Sequence, residues 1–258
     1  RQRLKLPALA IVGSRNATPQ GLANAESFAH HLSERGLCIV SGLALGIDGA
    51  AHRGGLRGQA SSIAVVGTGL DIVYPARHRE LAHELAQHGA LVSEFPLGTP
   101  SKAQNFPRRN RLISGLSRGG CLVVEAALQS GSLITARLAA EQGRDVFAIP
   151  GSIHSPLAKG CHHLIKQGAK LVECSQDILD ELGYHSDATP ANVSNPSLLS
   201  KEETLLMQCL GYDPIGIDAL VACSGLTSDT VCAILLTMEL AGYITSQPGG
   251  LYQRNGKV

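Results

Sequence analysis

The residues best suited to chemistry lie between Phe106 and Ala136. Three arginines, Arg108, Arg109 and Arg111, stand close together in an apolar helical pattern. A short apolar strand pattern follows, and then a Ser/Gly turn that opens another helix. Fixed positive charge beside a helix N-terminus is typical of an anion site, so this stretch suits a polyanion.

The three arginines cannot share one narrow face of a helix. We therefore expect at least one to face a ligand and another to form an internal ion pair. A solvated charged turn is the alternative interpretation of the same cluster. The turn that follows offers hydroxyls and backbone N–H groups at a second helix start, from Ser130, Gly131 and Ser132.

Further candidates for binding phosphate follow four of the predicted strands. Glycine lets a backbone approach a phosphate, and Arg or Lys can hold one. An ordinary strand-to-helix turn with a surface cation would look similar. The candidates in chain order are Gly13, Ser14, Arg15, Ser41, Gly42, Gly46, Gly67, Gly69, Lys159 and Gly160.

None of these turns carries a known nucleotide fingerprint. The dinucleotide pattern G-x-G-x-x-G is absent after the first strand, and no GKS or GKT follows a glycine-rich loop. Tyr74 could stack on a base, but we expect it to pack within the protein. With 3% aromatic residues, phosphate contact should dominate over base stacking.

Catalytic and metal sites are not expected. Asp48 and His52 stand one helical turn apart, but no nucleophile accompanies them, so we expect Asp48 to fix its turn or cap the next helix. Four Cys and His residues, Cys161, His162, His163 and Cys174, lack zinc-like spacing. We therefore predict no catalysis, no metal and no cofactor.

Composition sets limits on partners and compartment. The 258 residues have a formal net charge of only +1, so a nucleic-acid site must be a local patch. Seven cysteines without a CxxC pair predict free thiols in a reducing cytosol, and disulfides are not expected. No apolar window is long enough to span a membrane and no leader is evident, so we expect a cytoplasmic protein. The chain opens at Arg1 and not at Met, which leaves room for an upstream domain.

Short apolar runs alternate with amphipathic stretches over the first 183 residues, which predicts a doubly wound, mostly parallel α/β sheet. The first helix shows the logic, because Thr18 can cap it, Pro19 fits its first turn and Gly36 can end it. Ligands of such folds lie beyond the carboxyl ends of the strands. The predicted strands are 8–12, 37–40, 61–66, 90–93, 121–125, 145–149 and 169–172.

The pattern predicts two domains. A first domain over residues 1–184 is followed by a polar, proline-containing linker over 185–197. Residues 198–258 then read as three helices and a hairpin, the winged-helix arrangement. Its third helix, between Ser228 and Gly242, carries no Lys or Arg, which favours a protein-binding or packing role over DNA reading.

Seven ordered blocks together resemble the DNA-processing protein A family, also called DprA or Smf. The blocks are GSRNATPQG, SGLALGIDGAAH, IAVVGTGLDIVYP, SEFPLGTP, NFPRRNRLISGLS, VVEAALQSGSLITARLAAEQGRDVFAIPG and KGCHHLIKQGA, and they span roughly residues 8 to 175. His162 departs from the family, where Asn is common, so no base-specific role is carried over to it.

The resemblance implies an extended Rossmann-like domain that binds single-stranded DNA in a positive pocket without sequence preference or catalysis. It also implies a homodimer that acts in DNA uptake and natural transformation, protects incoming strands, and loads RecA recombinase onto DNA covered by single-strand-binding protein. Many members carry a C-terminal winged helix. The implied DNA contacts are Arg15, Ser41, Gly42, Gly46, Arg108, Arg109, Arg111, Ser130, Gly131, Ser132 and Lys159.

Two other classes of function compete with DNA binding. A Rossmann-type nucleotide hydrolase, like the phosphoribohydrolases that release cytokinin bases, would carry a PGG-x-GT-x-x-E pattern after a strand. The nearest stretch, SRGGCLVVEA, places its glycines before the strand and lacks the Thr. A scaffold protein without DNA contact is the third possibility, and failure to bind any oligonucleotide at low salt would favour it.

Overall fold

A computed structural model describes residues 3–184, 200–247 and 249–254. The chain divides into two compact units, Arg1–His185 and Ser186–Val258. The predicted linker over 185–197 lies outside the described residues.

The first unit is built on a seven-stranded parallel sheet, in the order β4-β3-β2-β1-β5-β6-β7. This confirms the doubly wound, parallel fold predicted from the apolar runs. The strands are β1 (Ala8–Val12), β2 (Cys38–Ser41), β3 (Ser62–Val65), β4 (Ala90–Val92), β5 (Cys121–Val123), β6 (Val146–Ala148) and β7 (Lys170–Leu171).

Seven α-helices connect or follow these strands, and two short 3-10 turns, Arg3–Lys5 and Ala76–His78, precede β1 and α3. The helices are α1 (Pro19–Glu34), α2 (Ile47–Arg57), α3 (Arg79–His88), α4 (Asn105–Leu116), α5 (Ser132–Glu141), α6 (Lys159–Lys166) and α7 (Ser175–Glu181).

The central strand β1 is buried on both faces, which explains its uninterrupted apolar sequence. Leu9 and Ile11 point into a core that includes Phe28 of α1. Ala8, Ala10 and Val12 point to the opposite face, where they pack with Ile113 of α4. Helices therefore cover both faces of the sheet, and the carboxyl ends of the strands remain as one shared edge.

Helix α1 begins and ends as its sequence predicts. The Thr18 hydroxyl accepts a hydrogen bond from the N–H of Gly21 at 3.0 Å, and Pro19 occupies the first turn. Beyond the helix, Gly36 adopts φ +87°, a conformation that favours glycine. The helix start is therefore fixed at the carboxyl edge of the sheet.

The second unit is a winged helix, as predicted. Its three helices enclose a core that includes Leu206, Leu220, Val231 and Leu235. A short strand that the sequence did not predict pairs with the hairpin and gives a three-stranded antiparallel sheet in the order β8-β10-β9. The elements are α8 (Lys201–Cys209), β8 (Ile215–Gly216), α9 (Ile217–Ser224), α10 (Ser228–Leu240), β9 (Ile244–Gln247) and β10 (Leu251–Arg254).

One expectation about cysteines is wrong. Cys209 at the end of α8 and Cys223 in α9 form a disulfide, with their Cα atoms 5.9 Å apart. The packing of α8 on α9 brings the two thiols together, and an odd cysteine count with no CxxC pair gives no sign of it. Cys38, Cys121 and Cys161 are free and buried, and burial raises the pKa of each thiol to about 12.

No single helix in the described part of the chain is long and apolar enough to cross a membrane. Helices α9 and α10 reach the required length and composition only as a pair, and they are bent by 109° relative to each other.

Candidate nucleic-acid interface

The strand order reverses on either side of β1, whose neighbours are β2 and β5. Parallel α/β sheets bind ligands at the carboxyl edge beside such a reversal. The segments that follow β1 and β2 meet there, since the N–H of Ile47 donates to the carbonyl of Ser14 at 3.1 Å. Gly46 has φ +76°, and a Cβ at this position would collide with the carbonyl oxygen of Ser14.

Arg15 and two aromatic rings form the exposed centre of this edge. The guanidinium carbon of Arg15 lies 5.8 Å from the centroid of the Phe106 ring. The Tyr74 ring packs on Phe106 with centroids 5.6 Å apart, and Tyr74 is 47% exposed. The predicted packing role of Tyr74 fits this contact. A cation and an aromatic surface therefore lie side by side, facing solvent.

Arg109 also lies near this ring, with its guanidinium carbon 6.0 Å from the Phe106 centroid. It is only 4% exposed, and its Nη1 donates to the carbonyl of Gly42 at 2.6 Å and to the carbonyl of Val65. Burial lowers the pKa of Arg109 to about 10, and the nearby Asp48 carboxylate opposes that shift. Arg109 thus ties α4 to the ends of β2 and β3, and the predicted direct contact with DNA does not fit this buried position.

The loop after β2 is held by Asp48 and His52, which do not pair with each other. Asp48 accepts hydrogen bonds from the N–H groups of Gly42 at 3.1 Å and Ala44 at 3.3 Å. His52 Nε2 accepts from the N–H of Leu43 at 3.2 Å. The N–H of Gly42, a predicted phosphate-binding residue, is therefore already bonded within the protein. Asp48 fixes its turn, which is one of the two roles that the sequence predicts for it.

Both side chains have shifted pKa values. Burial raises the pKa of Asp48, although the charge of Arg109 and the two N–H donors act against the shift. Burial lowers the pKa of His52 to about 3, so its ring is neutral at physiological pH. His52 Nδ1 lies 2.7 Å from the hydroxyl of Ser62, which itself donates to Ile39 at 2.9 Å. Asp48 and His52 therefore both have structural roles.

Several other predicted contacts are also interior. The Ser41 hydroxyl is fully buried and donates to the carbonyl of Ile11 at 2.6 Å, so its predicted role in DNA contact does not fit. Gly67 and Gly69 are buried as well. The carbonyl of Gly67 accepts from Asn105 at 3.0 Å, and the N–H of Gly69 donates to Thr99 at 3.0 Å. These residues lie beneath the exposed surface of the carboxyl edge.

Glu125, which follows β5, occupies the start of α1. Its carboxylate accepts from the N–H of Thr18 at 2.9 Å and from the Thr18 hydroxyl at 2.5 Å. Burial raises the pKa of Glu125, and the Thr18 hydrogen bonds oppose the rise. A carboxylate therefore lies where nucleotide-binding α/β proteins usually hold a phosphate. Sequence reasoning missed this role, although an acidic residue ending the apolar run CLVVE was the available signal.

Helix α4 places the three predicted arginines in different environments, with Arg109 buried and Arg108 and Arg111 exposed. Phe106 and Asn110 share one side, because they are four residues apart. The amide of Asn110 donates to the carbonyl of Gly131 at 3.4 Å, so the Ser130–Ser132 turn lies next to this side. Arg108 and Arg111 lie on the opposite side, about 160° and about 140° around the helix from Phe106.

The start of α6 reaches the same edge of the sheet. The N–H of Gly160 donates to the carbonyl of Ala126 at 2.7 Å, just beyond Glu125. Gly160 is buried, whereas Lys159 is exposed. In the Ser130–Ser132 turn the two hydroxyls lie 2.7 Å apart.

The predicted site residues thus fall into two groups. Those with exposed or partly exposed side chains or backbone are Gly13, Arg15, Gly46, Arg108, Arg111, Ser130, Gly131 and Lys159. Those that are buried are Ser14, Ser41, Gly42, Gly67, Gly69, Arg109, Ser132 and Gly160. Within the described residues no group of three His, Cys, Asp or Glu side chains is arranged to hold a metal ion.

Comparison with known proteins gives consistent matches. Residues 1–183 match the family model of DNA recombination-mediator protein A, and residues 187–250 match that of the DprA winged helix domain. Protein Smf of Escherichia coli (strain K12) is 47% identical over 249 residues, which cover 94% of this chain and 66% of that protein. The chain spans about two thirds of the length of such curated relatives.

Two solved structures are also similar. The X-ray structure of DNA processing protein A from Streptococcus pneumoniae is 49% identical with a TM-score of 0.66, covering 70% of this chain and 63% of that one. DNA processing protein A from Helicobacter pylori, described for its single-stranded DNA binding mode, is 30% identical with a TM-score of 0.66, covering 71% and 83%. The chain therefore belongs to the DNA recombination-mediator protein A family, also known as DprA or Smf.

Proposed function

We propose that this chain binds single-stranded DNA, without sequence preference, at the carboxyl edge of β1, β2 and β5. The observation that carries the proposal is Arg15, an exposed cation placed over the Phe106 ring beside the half-exposed Tyr74. A phosphate can bind the guanidinium while a neighbouring base lies against an aromatic face. The relative from Helicobacter pylori, described as binding single-stranded DNA, supports the same ligand class.

Other groups extend this surface for a flexible strand. Lys159 supplies a second exposed cation at the start of α6, and the turn at Gly131 supplies open backbone on the other flank. Phosphate contacts of this kind carry no base information, so binding should tolerate any sequence and weaken with salt.

In the whole protein we propose that this binding serves recombination. The strand taken up during natural transformation would be protected, and RecA recombinase would be loaded onto DNA that single-strand-binding protein covers. A homodimer is expected from the family resemblance. The family's description as a recombination mediator supports this role, and no catalytic step is part of it.

The placement of Glu125 argues against the nucleotide hydrolase. A bound nucleotide would need its phosphate at the N-terminus of α1, where the Glu125 carboxylate already accepts two hydrogen bonds from Thr18. A phosphate there would meet a like charge in a partly buried position. The DNA site proposed above lies outside this carboxylate, around Arg15.

Substitution of Arg15 tests the proposed site. Arg15→Ala should weaken binding of a labelled oligo-dT by about tenfold, as expected for one charge-assisted phosphate contact. The slope of log affinity against log salt should become shallower by about 0.7. Fluorescence anisotropy titrations across salt concentrations measure both quantities, and Lys159→Ala should act in the same direction.

Arg118→Ala is the matched control. Arg118 is an exposed arginine that precedes β5, so it lies at the amino edge of the sheet. Its loss removes the same charge without touching the proposed site. Equal affinities for the Arg15 and Arg118 variants would remove the carboxyl edge from consideration.

A further inference from the structure

Arg108 and Arg111 share one carboxylate on the side of α4 away from Phe106. Arg111 Nη2 contacts Glu94 Oε2 directly, and Arg108 Nε lies 3.5 Å from Glu94 Oε1. The two arginine side chains are 63% and 51% exposed, whereas the Glu94 side chain is only 14% exposed. Two solvent-facing cations are thus tied to one largely enclosed anion.

The backbone around Glu94 holds that anion in place. Glu94 follows β4, the edge strand of the sheet. The hydroxyl of the preceding Ser93 donates to the carbonyl of Thr68 at 2.6 Å and accepts from the N–H of Phe95 at 3.0 Å. These bonds fix the backbone on both sides of Glu94 and thus the point from which its side chain reaches the two arginines.

The exposed side of Arg108 resembles the surface around Arg15. The Arg108 guanidinium carbon lies 5.5 Å from the centroid of the Phe95 ring, again a cation beside an aromatic face. The difference is the carboxylate. Among the described residues Arg15 and Lys159 have no carboxylate within ion-pair distance, whereas Arg108 and Arg111 both have one.

A phosphate and a carboxylate compete for the same donors of an arginine. We propose that Glu94 is a built-in counterion that a DNA phosphate must displace from Arg108 and Arg111, and that it thereby limits the affinity of this second cationic surface for single-stranded DNA. The inference rests on the proposed DNA binding. It assigns Glu94 the role of a tuning residue, acting through the two arginines.

Neutralising the carboxylate tests the inference in the full chain. Glu94→Gln keeps the side-chain volume and the acceptor oxygen but removes the charge. Binding of labelled oligo-dT at low salt should become about threefold to tenfold tighter. The salt slope should become steeper by about 0.7 to 1.4, because one or two more cations become free to neutralise phosphates.

Two further variants separate this effect from others. Glu34→Gln removes the same charge from an exposed position at the end of α1, at the opposite edge of the sheet, and should leave affinity and slope unchanged. In a background of Arg108→Gln and Arg111→Gln, Glu94→Gln should give no gain. Circular dichroism melts of each variant confirm that the fold is retained.

The outcomes distinguish the inference from the function on which it rests. If the wild-type chain fails to bind oligo-dT at low salt, the proposed function falls. The second outcome is that the wild type binds and Arg15→Ala weakens binding. If Glu94→Gln then fails to raise the affinity and to steepen the salt slope, only the counterion role of Glu94 is overturned. An equal gain from Glu34→Gln would also overturn it, because it would reflect overall charge.

Discussion

Arg15 and Arg109 lie near the same Phe106 ring, but they differ in their exposure to solvent. Arg15 is exposed, whereas Arg109 is 4% exposed and donates to backbone carbonyls at the ends of β2 and β3. A buried guanidinium bonded in this way is part of the scaffold, and an exposed one is available to a ligand. The two residues should therefore respond differently to the same substitution.

Arg109→Ala should reduce stability rather than only DNA affinity. The change leaves the carbonyls of Gly42 and Val65 without this donor and removes the cation beside the buried Asp48. We expect the free energy of unfolding to fall by about 2–4 kcal/mol in urea titrations followed by circular dichroism. Arg15→Ala should change it by less than about 0.5 kcal/mol. A loss for Arg109→Ala as small as that for Arg15→Ala would contradict the buried placement.

Glu125 should make stability depend on pH in a predictable direction. Burial raises the pKa of the folded carboxyl above its ordinary value of 4.5. Between those two pKa values the folded state keeps a proton that the unfolded state has lost, so stability falls as pH rises through this window. Above the folded pKa the contribution of Glu125 becomes constant.

Glu125→Gln isolates that contribution. The stability of the wild type minus that of the variant should decrease from pH 4.5 upward and then level off, as measured by urea unfolding at each pH. Glu34→Gln, an exposed carboxyl at the other end of α1, serves as the control. A difference that grows with pH would mean that the Thr18 hydrogen bonds outweigh burial.

At the residue scale the sequence predicted which segments form the candidate site but not which side chains face solvent. The cluster Arg108, Arg109 and Arg111 was expected to divide between a ligand and an internal ion pair. The expected ion pair is present, because Arg108 and Arg111 both contact Glu94, seventeen positions before Arg111. Arg109, however, is buried against backbone carbonyls. Such partners come from other strands, and local spacing does not reveal them.

At the scale of elements, sequence reasoning was most successful where burial alone determines the structure. The strands β1, β2, β3 and β5 are buried throughout because helices cover this part of the sheet on both faces, whereas the two residues of β7 are exposed. The two-residue strand β8 escaped prediction because its pairing with β10 depends on tertiary contacts. The disulfide between Cys209 and Cys223 was missed for the same reason.

The loop between β2 and α2 depends on one glycine. Gly46 combines φ +76° with a neighbouring carbonyl that a Cβ would strike. Gly46→Ala should therefore cost more than the about 1 kcal/mol expected for backbone strain alone. Gly143→Ala is the matched control, because Gly143 has φ +68° but nothing within 4 Å of an added Cβ.

Thermal unfolding followed by circular dichroism measures both variants. The Gly46 variant should melt several degrees below the Gly143 variant, and its DNA affinity should fall because the Ser14–Arg15 backbone is displaced. Equal melting temperatures would show that the loop adapts to the added methyl group without cost.

At the scale of the whole molecule, charge is distributed unevenly between the two units. Residues 1–184 contain nineteen Lys and Arg against fourteen Asp and Glu, whereas residues 200–258 contain three against six. The near-neutral net charge of the chain is therefore the sum of a basic first unit and an acidic second unit. Helix α10 carries no Lys or Arg, and its exposed side includes Leu236 at 59% and Leu240 at 81% exposure. A surface of this kind is poorly suited to contacting phosphates.

We therefore expect DNA affinity to belong to the first unit. A protein comprising residues 1–184 should bind labelled oligo-dT within about threefold of the full chain and with the same salt slope, since the second unit contributes few cations. Lys201→Gln with Arg254→Gln in the full chain tests the same idea without truncation and should leave affinity unchanged. A tenfold loss or a shallower slope in either protein would assign phosphate contacts to the winged helix, against the charge distribution.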